Sequence, residues 1–461
     1  MDDELELIEA EDEEAFGITD RLVAEVLDAV EAQDGETVES LLDPLHPADI
    51  AHLIELIDAR DRRALLLLWK GGMDGDILSE LDDGLREEII QSLAPAELAE
   101  AVRDLESDDV VDLVEYLDDE QQEAVLGALE APERAAVEKA LAYPEESAGR
   151  HMQVEVVCAP EHWTVGEAID YLRRDDSDLP EQFYHVILVD PRFKAVGYVT
   201  LGRILSARRS VQLRDIAEDS FRTFSVDQPA SEVAYAFNHY HLISAPVVDA
   251  DDRLVGVITI DDAMTLLDEE HEEDILRLAG VGEGSISDNV VETTRQRLPW
   301  LAVNLVTAIL ASLVISMFET TISSLVALAV LMPIVASMGG NAGTQSLTVA
   351  VRAIATRDLT GSNVWRVIRR EVIVGLINGL IFAAVMGLIG WAWFSTPLLG
   401  VVLAVAMVVN LVVAGFAGTG IPILLERFGV DPALASGAFV TTVTDVVGFF
   451  AFLGLAAVIL L

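Results

Sequence analysis

The last apolar stretch of the chain, residues 433–461, reads ALASGAFVTTVTDVVGFFAFLGLAAVILL and carries a single charged residue, Asp445. It exceeds the roughly 20 residues that an α-helix needs to cross a bilayer. A charge at mid-bilayer costs roughly 2.5–3.5 kcal/mol on insertion scales, so acids inside spans are usually functional. Asp445 would lie about 18 Å along this helix, near the middle of a ~30 Å hydrocarbon core. The stretch therefore predicts a span with an ion or proton site at Asp445. The alternative is a protonated Asp445 that is hydrogen-bonded to a neighbouring helix.

A second apolar stretch contains Gly339-Gly340-Asn341-Ala342-Gly343-Thr344-Gln345. Each glycine weakens a helix by about 1 kcal/mol relative to alanine, so this segment predicts a break in the helix at membrane depth. Broken backbone is tolerated there only where protein covers it or where it lines a wet cavity. Its carbonyl and amide oxygens can then face an ion or the water around that ion. We therefore predict that the segment lines a pore; the alternative is close helix packing through small residues.

Five apolar stretches are each long enough to span a bilayer. They cover residues 298–317, 322–354, 372–394, 398–425 and 433–461. Arginines precede the first, fill the loop 352–370 and follow the fourth, whereas the loops around Glu319 and Thr396 carry none. The positive-inside rule then predicts a multi-pass membrane protein with residues 1–297 in the cytoplasm and the C-terminus outside. An odd number of spans without an inverted repeat favours a two-fold dimer with a pore on its axis.

The chain of 461 residues has a formal net charge of -50, and almost all of the negative charge lies in residues 1–291. An acidic, lysine-poor soluble part is typical of a halophilic surface, which stays hydrated and screened in high salt. The alternative is a surface that binds divalent cations. Such a field repels phosphate and argues against a nucleic-acid partner. The single cysteine, Cys158, allows no intramolecular disulfide and fits a reducing cytosol.

The sequence before the spans has two different periodicities. Residues 1–17 form an acidic tail that we expect to be disordered. Residues 18–145 predict a helical N-domain, because helix-start signals recur before acidic first turns at Pro47, Pro95 and Ser107. Stacked helical hairpins, as in a small superhelical solenoid, would bury the apolar stripes of these helices.

An internal repeat of about 60 residues follows the N-domain. Strands are predicted at 186–190 and 195–200 and again at 245–249 and 254–259, after helix signals at 165–172 and 231–240. This α/β pattern resembles a tandem pair of CBS (cystathionine-β-synthase) modules, assigned to residues 146–208 and 209–268. Residues 269–297 are assigned to a charged connecting helix with a Gly-rich break at 280–284, and residues 298–461 to the transmembrane domain.

This order of domains resembles the MgtE family of magnesium channels and transporters over nearly the whole chain. Three motifs carry the resemblance. They are Pro333 followed by residues 339–345, the segment Arg352-Ala353-Ile354-Ala355-Thr356-Arg357-Asp358-Leu359, and Gly429-Val430-Asp431-Pro432-Ala433-Leu434 with Asp445 downstream. The resemblance implies a homodimeric, Mg2+-selective channel in the plasma membrane that cytosolic Mg2+ closes. The family can carry an asparagine and an alanine where this chain has Gly437 and Thr441.

The resemblance also implies site residues. The pore positions of the family correspond here to Asp445, with Gly339, Gly340, Asn341 and Thr344 as lining residues. Its regulatory Mg2+ ligands correspond to acids of the N-domain, the second CBS module, the connecting helix and the start of the fifth span. They are Asp76, Asp108, Asp112, Asp262, Glu273, Asp274 and Asp431. Asp108 and Asp112 are four residues apart, so both face one side of a helix, where a bridging cation would relieve their repulsion. The alternative is a solvated, salt-adapted face.

A nucleotide is a second candidate ligand. Thr259-Ile260-Asp261-Asp262 resembles the nucleotide signature of CBS modules, in which the hydroxyl and the last carboxylate bind ribose. Leu242 and Pro246 would border the adenine, whereas Gly202-Arg203 of the first module departs from the basic–acidic pair of the family. The predicted cofactors are therefore Mg2+ and, through Arg203, Leu242, Pro246, Thr259 and Asp262, ATP. The alternative is that Thr259 and Asp262 start and cap a helix.

The sequence argues against an enzyme, because it has no nucleophile elbow, P-loop, zinc spacing or set of kinase motifs. Two other functions remain open. One is a proton- or Na+-coupled carrier of a divalent cation such as Mg2+ or Co2+, and the other is a membrane-anchored sensor that conducts nothing. Asp445 and the predicted break in the second span argue against the sensor. A channel and a carrier share both features, so the sequence does not separate them.

Overall fold

The structure, a computed structural model, describes residues 17–461 except 70–71, 116, 175–178, 181, 219–220 and 282–289. The chain forms two compact units, Met1–Glu269 and Glu270–Leu461. The predicted tail (1–17), apart from Gly17, and residues 282–284 of the predicted Gly-rich break lie outside the described residues.

Short helices build the first part of the first unit. They are α1 (Asp20–Glu31), α2 (Gly35–Leu42), α3 (Pro47–Leu56), α4 (Ala59–Leu68), α5 (Gly75–Ser79), α6 (Asp83–Ser92), α7 (Pro95–Ala101), α8 (Ser107–Glu115), α9 (Asp119–Ala128) and α10 (Ala131–Ala140). Asp34, Asp58 and Asp74 each accept hydrogen bonds from the backbone N–H groups of the helix that follows. Such caps satisfy amides that the first turn leaves free and stabilise a helix by about 1 kcal/mol. The apolar faces of these helices pack into one continuous core, as the predicted helical N-domain requires.

Two similar three-stranded sheets follow. The first contains β1 (Cys158–Pro160), β2 (His185–Val189) and β3 (Ala195–Thr200), and the second contains β4 (Phe224–Ser225), β5 (Ser244–Val248) and β6 (Leu254–Thr259). In each sheet the first strand pairs parallel with the second, and the second pairs antiparallel with the third. The predicted strand pairs and the helices α11 (Val165–Leu172) and α13 (Ala230–Tyr240) are confirmed; α12 (Leu201–Ser206) and the short strands β1 and β4 were not predicted.

The connecting segment differs from the prediction. The helix that follows β6 continues without interruption as α14 (Ile260–Ala279), because this stretch contains neither glycine nor proline. It ends at Gly280, whose φ of +70° is the left-handed conformation that closes many helices. Residues 290–297, which were assigned to the connecting helix, instead form the first turns of the first-span helix, α15 (Val290–Ser316).

Among the described residues of the second unit, five helices are long and apolar enough to cross a membrane, which confirms the five predicted spans. They are α15, α17 (Ala327–Ala355), α18 (Val364–Phe394), α19 (Pro397–Arg427) and α20 (Pro432–Ile459), and they are called the first to fifth spans below. The second span begins later than predicted because Leu325 adopts an extended conformation, which separates a short helix, α16 (Glu319–Ser324). The third begins earlier and includes Arg366, Arg369 and Arg370 of the predicted loop. The fourth span lies at the centre of the unit, packed against the second, third and fifth.

Candidate functional site

Asp445 lies near the middle of the fifth span, and its side chain is half-buried. The neighbouring hydroxyls of Thr441 and Thr444 donate to carbonyl oxygens of their own helix, at 3.0 and 2.9 Å. Within the described residues, Asp445 has no hydrogen bond or ion pair. Among these residues, the structure therefore does not show the alternative in which Asp445 is hydrogen-bonded to a neighbouring helix. The carboxylate remains available to an ion.

The second span corrects one prediction. Residues 339–345 do not break the helix, which runs continuously from Ala327 to Ala355. A methyl group added at Gly343 would lie 2.6 Å from Val440 Cγ1, and one added at Gly339 would lie 2.1 Å from Asn410 Nδ2. These two glycines are therefore explained by close helix packing, the alternative given above. The backbone stays helical because an unpaired N–H or C=O group in a bilayer costs several kcal/mol, more than the weak helix propensity of glycine.

The opposite side of the same segment is open. Asn341 and Thr344 are exposed, and the nearest atom to a methyl group added at Gly340 would be Thr441 Cγ2, at 4.0 Å. Thr344 donates its hydroxyl proton to the Gly340 carbonyl at 3.0 Å, which leaves the hydroxyl oxygen able to accept. Gly340, Asn341 and Thr344 thus form one uncovered polar face of the second span. Its Gly340 end lies beside Thr441, one turn before Asp445 on the fifth span.

Among the buried polar side chains of the spans, Asn410 and Glu371 escaped the sequence analysis. Asn410 of the fourth span is fully buried, and Glu371 of the third span is buried with its Oε2 accepting a hydrogen bond from Ser346 Oγ at 3.0 Å. Asn410 is the single asparagine or glutamine of the stretch 398–425, and this isolation was the signal that could have found it.

A set of charged side chains surrounds the start of the fifth span. Asp431 caps this helix by accepting from the Ala433 N–H at 2.7 Å, and its other oxygen pairs with Arg277 Nη1 at 3.0 Å. Arg277 also pairs with Glu273, one turn earlier on α14. Burial and the nearby Asp431 carboxylate raise the pKa of Asp274. The structure thus brings together the predicted residues Glu273, Asp274 and Asp431, but it adds a guanidinium that the sequence analysis did not consider.

A second set of acids lies within the first unit, where α8 meets the residues that follow β6. We call Glu106, Asp108, Asp109 and Asp262 the acid cluster. Asp108 is buried, and Asp262 accepts hydrogen bonds from the Thr259 hydroxyl at 2.7 Å and the Thr259 N–H at 3.3 Å. Beside the cluster, Ser107 donates to Glu155 at 2.8 Å and accepts from the Val154 N–H at 2.9 Å.

Burial and mutual repulsion raise the pKa values of the acid cluster. Burial and Glu155 raise the pKa of Glu106 to about 7, and burial, Asp262 and Asp112 raise that of Asp109 to about 7. Burial, followed by Asp262, raises the pKa of Asp108 well above its usual range, and burial also raises that of Asp262. The predicted residues Asp108, Asp112 and Asp262 thus act on one another, and Asp76 contributes to the shift at Asp109. Glu106 and Asp109 belong to the same group but were missed.

The acid cluster has the oxygen donors that a hard cation such as Mg2+ prefers. Among the described residues, however, no three histidine, cysteine or acidic side chains are arranged to ligate one metal ion directly. Mg2+ usually keeps several waters and binds through one or two carboxylates, so the cluster fits a hydrated ion better than a closed cage of protein ligands.

The predicted nucleotide residues do not form an open pocket. Thr259 and Ser244 line a cavity of about 20 Å³ together with His185 and Tyr184, and this volume holds about one water molecule. Thr259 is hydrogen-bonded to Asp262, and Arg203 is paired with Glu218 at 2.8 Å. Leu242 packs against the core of the second CBS module, and Pro246 is buried in β5. The arrangement agrees with the alternative in which Thr259 and Asp262 begin a helix.

Three families match this chain. Residues 332–455 match the MgtE divalent cation transporter family, residues 45–146 match the MgtE intracellular N domain, and residues 148–210 and 213–269 each match the CBS domain. The magnesium transporter MgtE of Enterococcus faecalis is 34% identical over 312 residues, covering 68% of this chain and 69% of that protein. The magnesium transporter MgtE of Thermus thermophilus is 34% identical over 319 residues, covering 68% and 70%.

A solved structure of the cytosolic domain of the Mg2+ channel MgtE in complex with ATP is 27% identical, with a TM-score of 0.48, and covers 53% of this chain and 99% of that chain. The identity and coverage of the two full-length relatives, together with the matches to the N-domain, both CBS modules and the spans, place this chain in the MgtE family.

Proposed function

We propose that this protein is a Mg2+-selective ion channel of the cell membrane. The observation that carries the proposal is Asp445, a carboxylate near the middle of an apolar span without a partner among the described residues. The polar face formed by Gly340, Asn341 and Thr344 lies on the neighbouring second span. Mg2+ sheds its water reluctantly, so a few carboxylates and several neutral oxygens suit the hydrated ion. The two relatives named as magnesium transporters support Mg2+ as the transported ion.

The proposed assembly is a homodimer with the pore on its two-fold axis. Each protomer then contributes one Asp445, and the two carboxylates share the charge of one divalent ion. The first span is largely uncovered by the rest of the chain. Only 6% of the residues in its most apolar segment are buried, compared with 56% for the fourth span. Lipid and a second copy of the chain together would cover this surface. The proposed orientation has the first unit in the cytoplasm and the C-terminus outside, and the distribution of arginines supports it.

The proposed regulation is closure by cytosolic Mg2+ at the acid cluster. The cluster carries raised pKa values because burial and neighbouring carboxylates disfavour its charged form, and a cation would relieve both penalties. Binding can shift a closed–open equilibrium only through a higher affinity for the closed state. A Mg2+ ion that bridges α8 and the start of α14 would bind more tightly to the closed state, because both helices must stay together to hold it. The acids at the start of the fifth span are proposed as a second regulatory set.

ATP is proposed as a second ligand of the paired CBS modules, at Thr259 and Asp262. The cavity beside Thr259 holds about one water molecule, so an adenine nucleotide requires the surrounding side chains to move. The Thr259 hydroxyl would exchange its bond to Asp262 for the ribose. ATP and Mg2+ bound at the acid cluster would therefore compete for Asp262. Titration of ATP at zero and at millimolar Mg2+ tests this, with weaker ATP binding in Mg2+ as the expected outcome; the Thr259→Val variant should bind ATP poorly in both.

The proposed pore site is tested by Asp445→Asn, which keeps the size of the side chain and removes its charge. We expect Mg2+ uptake into vesicles to be abolished, while the amount of folded protein stays unchanged. Asp358→Asn is the matched control, because Asp358 is an exposed acid in the loop after the second span. Wild-type uptake through Asp445→Asn would contradict the pore assignment.

The coupled carrier is the competing function, since Asp445 could also carry a proton or Na+. Single-channel recording separates the two mechanisms. Discrete unitary currents carried by Mg2+ are expected of the channel and exclude the carrier. Uptake that depends on a proton or Na+ gradient, without unitary currents, would favour the carrier.

A further inference from the structure

A lone amide is buried in the fourth span. Asn410 is 0% exposed, and its Nδ2 donates to the Val335 carbonyl of the second span at 2.8 Å. Its Oδ1 is buried and accepts no hydrogen bond from any described residue. A buried oxygen without a donor destabilises the folded state. An apolar side chain would carry no such cost, so burial alone does not explain an asparagine here.

Two glycines from two different helices lie against this amide. A methyl group added at Gly339 of the second span would lie 2.1 Å from Asn410 Nδ2, and one added at Gly448 of the fifth span would lie 2.7 Å from the same atom. Distances below 3.0 Å require something to shift. The backbones of the second and fifth spans therefore approach the amide closely, and Asn410 lies between them.

Both glycines lie next to the proposed pore residues. Gly339 directly precedes Gly340 and Asn341, and Gly448 is one helical turn after Asp445. Asn410 itself has no exposed surface, so it cannot touch an ion in the pore. The amide is bonded to the second span at Val335 and touches the fifth span at Gly448. One buried side chain thus contacts both helices that carry the proposed pore residues.

We propose that Asn410 is a positioning residue that determines ion selectivity, by setting the spacing of the polar face of the second span and Asp445. The inference rests on the proposed function, in which these two surfaces line one pathway. The competing explanation is that Asn410 serves only the packing of the three helices. The two explanations differ in what removal of the Val335 bond should do. A packing role predicts only a change in stability, whereas a positioning role also predicts a loss of ion selectivity in the folded protein.

The first test compares Asn410→Leu with Met407→Leu in the full-length protein in vesicles. Met407 is a fully buried neighbour on the same helix, one turn before Asn410, and its replacement changes little volume. The measurements are the ratio of Mg2+ to Na+ permeability and the midpoint of thermal unfolding. For Asn410→Leu we expect a lower midpoint, because leucine is the larger side chain, and a loss of selectivity of about 10- to 100-fold, the range typical of groups that support a metal ligand. Met407→Leu should change neither. Wild-type selectivity in Asn410→Leu would overturn the proposal.

A second test covers the case in which Asn410→Leu unfolds. Gly339→Ala places a methyl group on the amide and should lower Mg2+ uptake. Asn410→Ala in that background makes room for the methyl group, so uptake should partly recover while selectivity stays low. Purely additive effects of the two substitutions would refute the contact on which the inference rests. The result for Asp445→Asn is read separately. If that variant keeps wild-type uptake, the proposed function fails; if it is inactive and Asn410→Leu is normal, only this inference fails.

Discussion

The acidic side chains of the two units differ in what balances their charge. In the first unit, the main influences on Glu106, Asp108 and Asp109 are burial and other carboxylates, which raise their pKa values. In the second unit, Arg277 pairs with both Glu273 and Asp431. Arg277 offsets one of the three carboxylate charges of that set, whereas the acid cluster must take up protons or cations. The comparison teaches that the acid cluster is the stronger candidate for a switch operated by Mg2+.

The largest effect is expected from removing the charge of the acid cluster. In the variant Asp108→Asn, Asp109→Asn and Asp262→Asn, closure should require far more Mg2+, because regulatory coupling of 1–3 kcal/mol corresponds to roughly 5- to 150-fold. Patch recordings over a range of cytosolic Mg2+ measure this. The control variant replaces three exposed acids of α1 and α2 by glutamine, which changes the net charge by the same amount. These acids are Glu31, Glu36 and Glu39. Closure at the wild-type Mg2+ concentration would remove the cluster from the mechanism.

The dependence on pH sharpens the same comparison. Glu106 and Asp109 have pKa values of about 7 in the folded protein, above the ordinary value of about 4. Between about pH 4 and pH 7 the folded state therefore binds more protons than the unfolded state, so this contribution to stability is lost as pH rises through the window. At pH 8 the carboxylates are charged and repel, and Mg2+ should raise the unfolding midpoint more than at pH 6. Equal Mg2+-induced shifts at both pH values, measured at matched ionic strength, would show that Mg2+ does not compete with these protons.

An intermediate effect is expected from monovalent salt. If the acidic surface is mainly a halophilic adaptation, protease resistance of the first unit within the full-length protein should fall as KCl falls, because self-repulsion is less screened. If the acids also bind Mg2+, millimolar MgCl2 should restore resistance beyond KCl of the same ionic strength. We expect both effects, with the Mg2+-specific part abolished in the acid-cluster variant. Equal protection by the two salts would leave the halophilic explanation alone.

The smallest effect is expected from Arg277→Gln. The Arg277 pairs are partly exposed, and such pairs stabilise by about 0–1 kcal/mol. Without the guanidinium, Glu273, Asp274 and Asp431 repel, so the region should open more easily at low Mg2+ and respond more steeply to added Mg2+. Patch recordings compare this variant with Arg427→Gln, which removes an exposed arginine at the end of the fourth span. A shift as large as that of the acid-cluster variant would reverse the ranking of the two sets of acids.

Predictions from the sequence succeeded where the structure depends on local pattern. The strands at 186–190 and 254–259 and the five spans follow from the period and length of apolar runs. The exact start of the second span did not follow, because the extended Leu325 lies inside an uninterrupted apolar run. Asp445 could be selected as the pore candidate because its surroundings along the chain are apolar.

Contacts between distant segments account for what was missed. Glu106 and Asp109 join Asp262, and Arg277 meets Asp431, across more than a hundred residues of chain. No local pattern in an acidic sequence distinguishes such residues from solvated neighbours, so only the fold identifies them.

The sequence by itself determined the order of the domains, the number of spans and the isolation of Asp445 in apolar surroundings, because each depends on hydrophobicity along the chain. Only the tertiary structure decided whether residues 339–345 stay helical and which side of them is open. The physical reason is that the helix propensity of a glycine is a local quantity of about 1 kcal/mol. The need to pair every backbone group in a bilayer is larger, and the close approach of Gly339 to Asn410 exists only once the fourth span lies against the second.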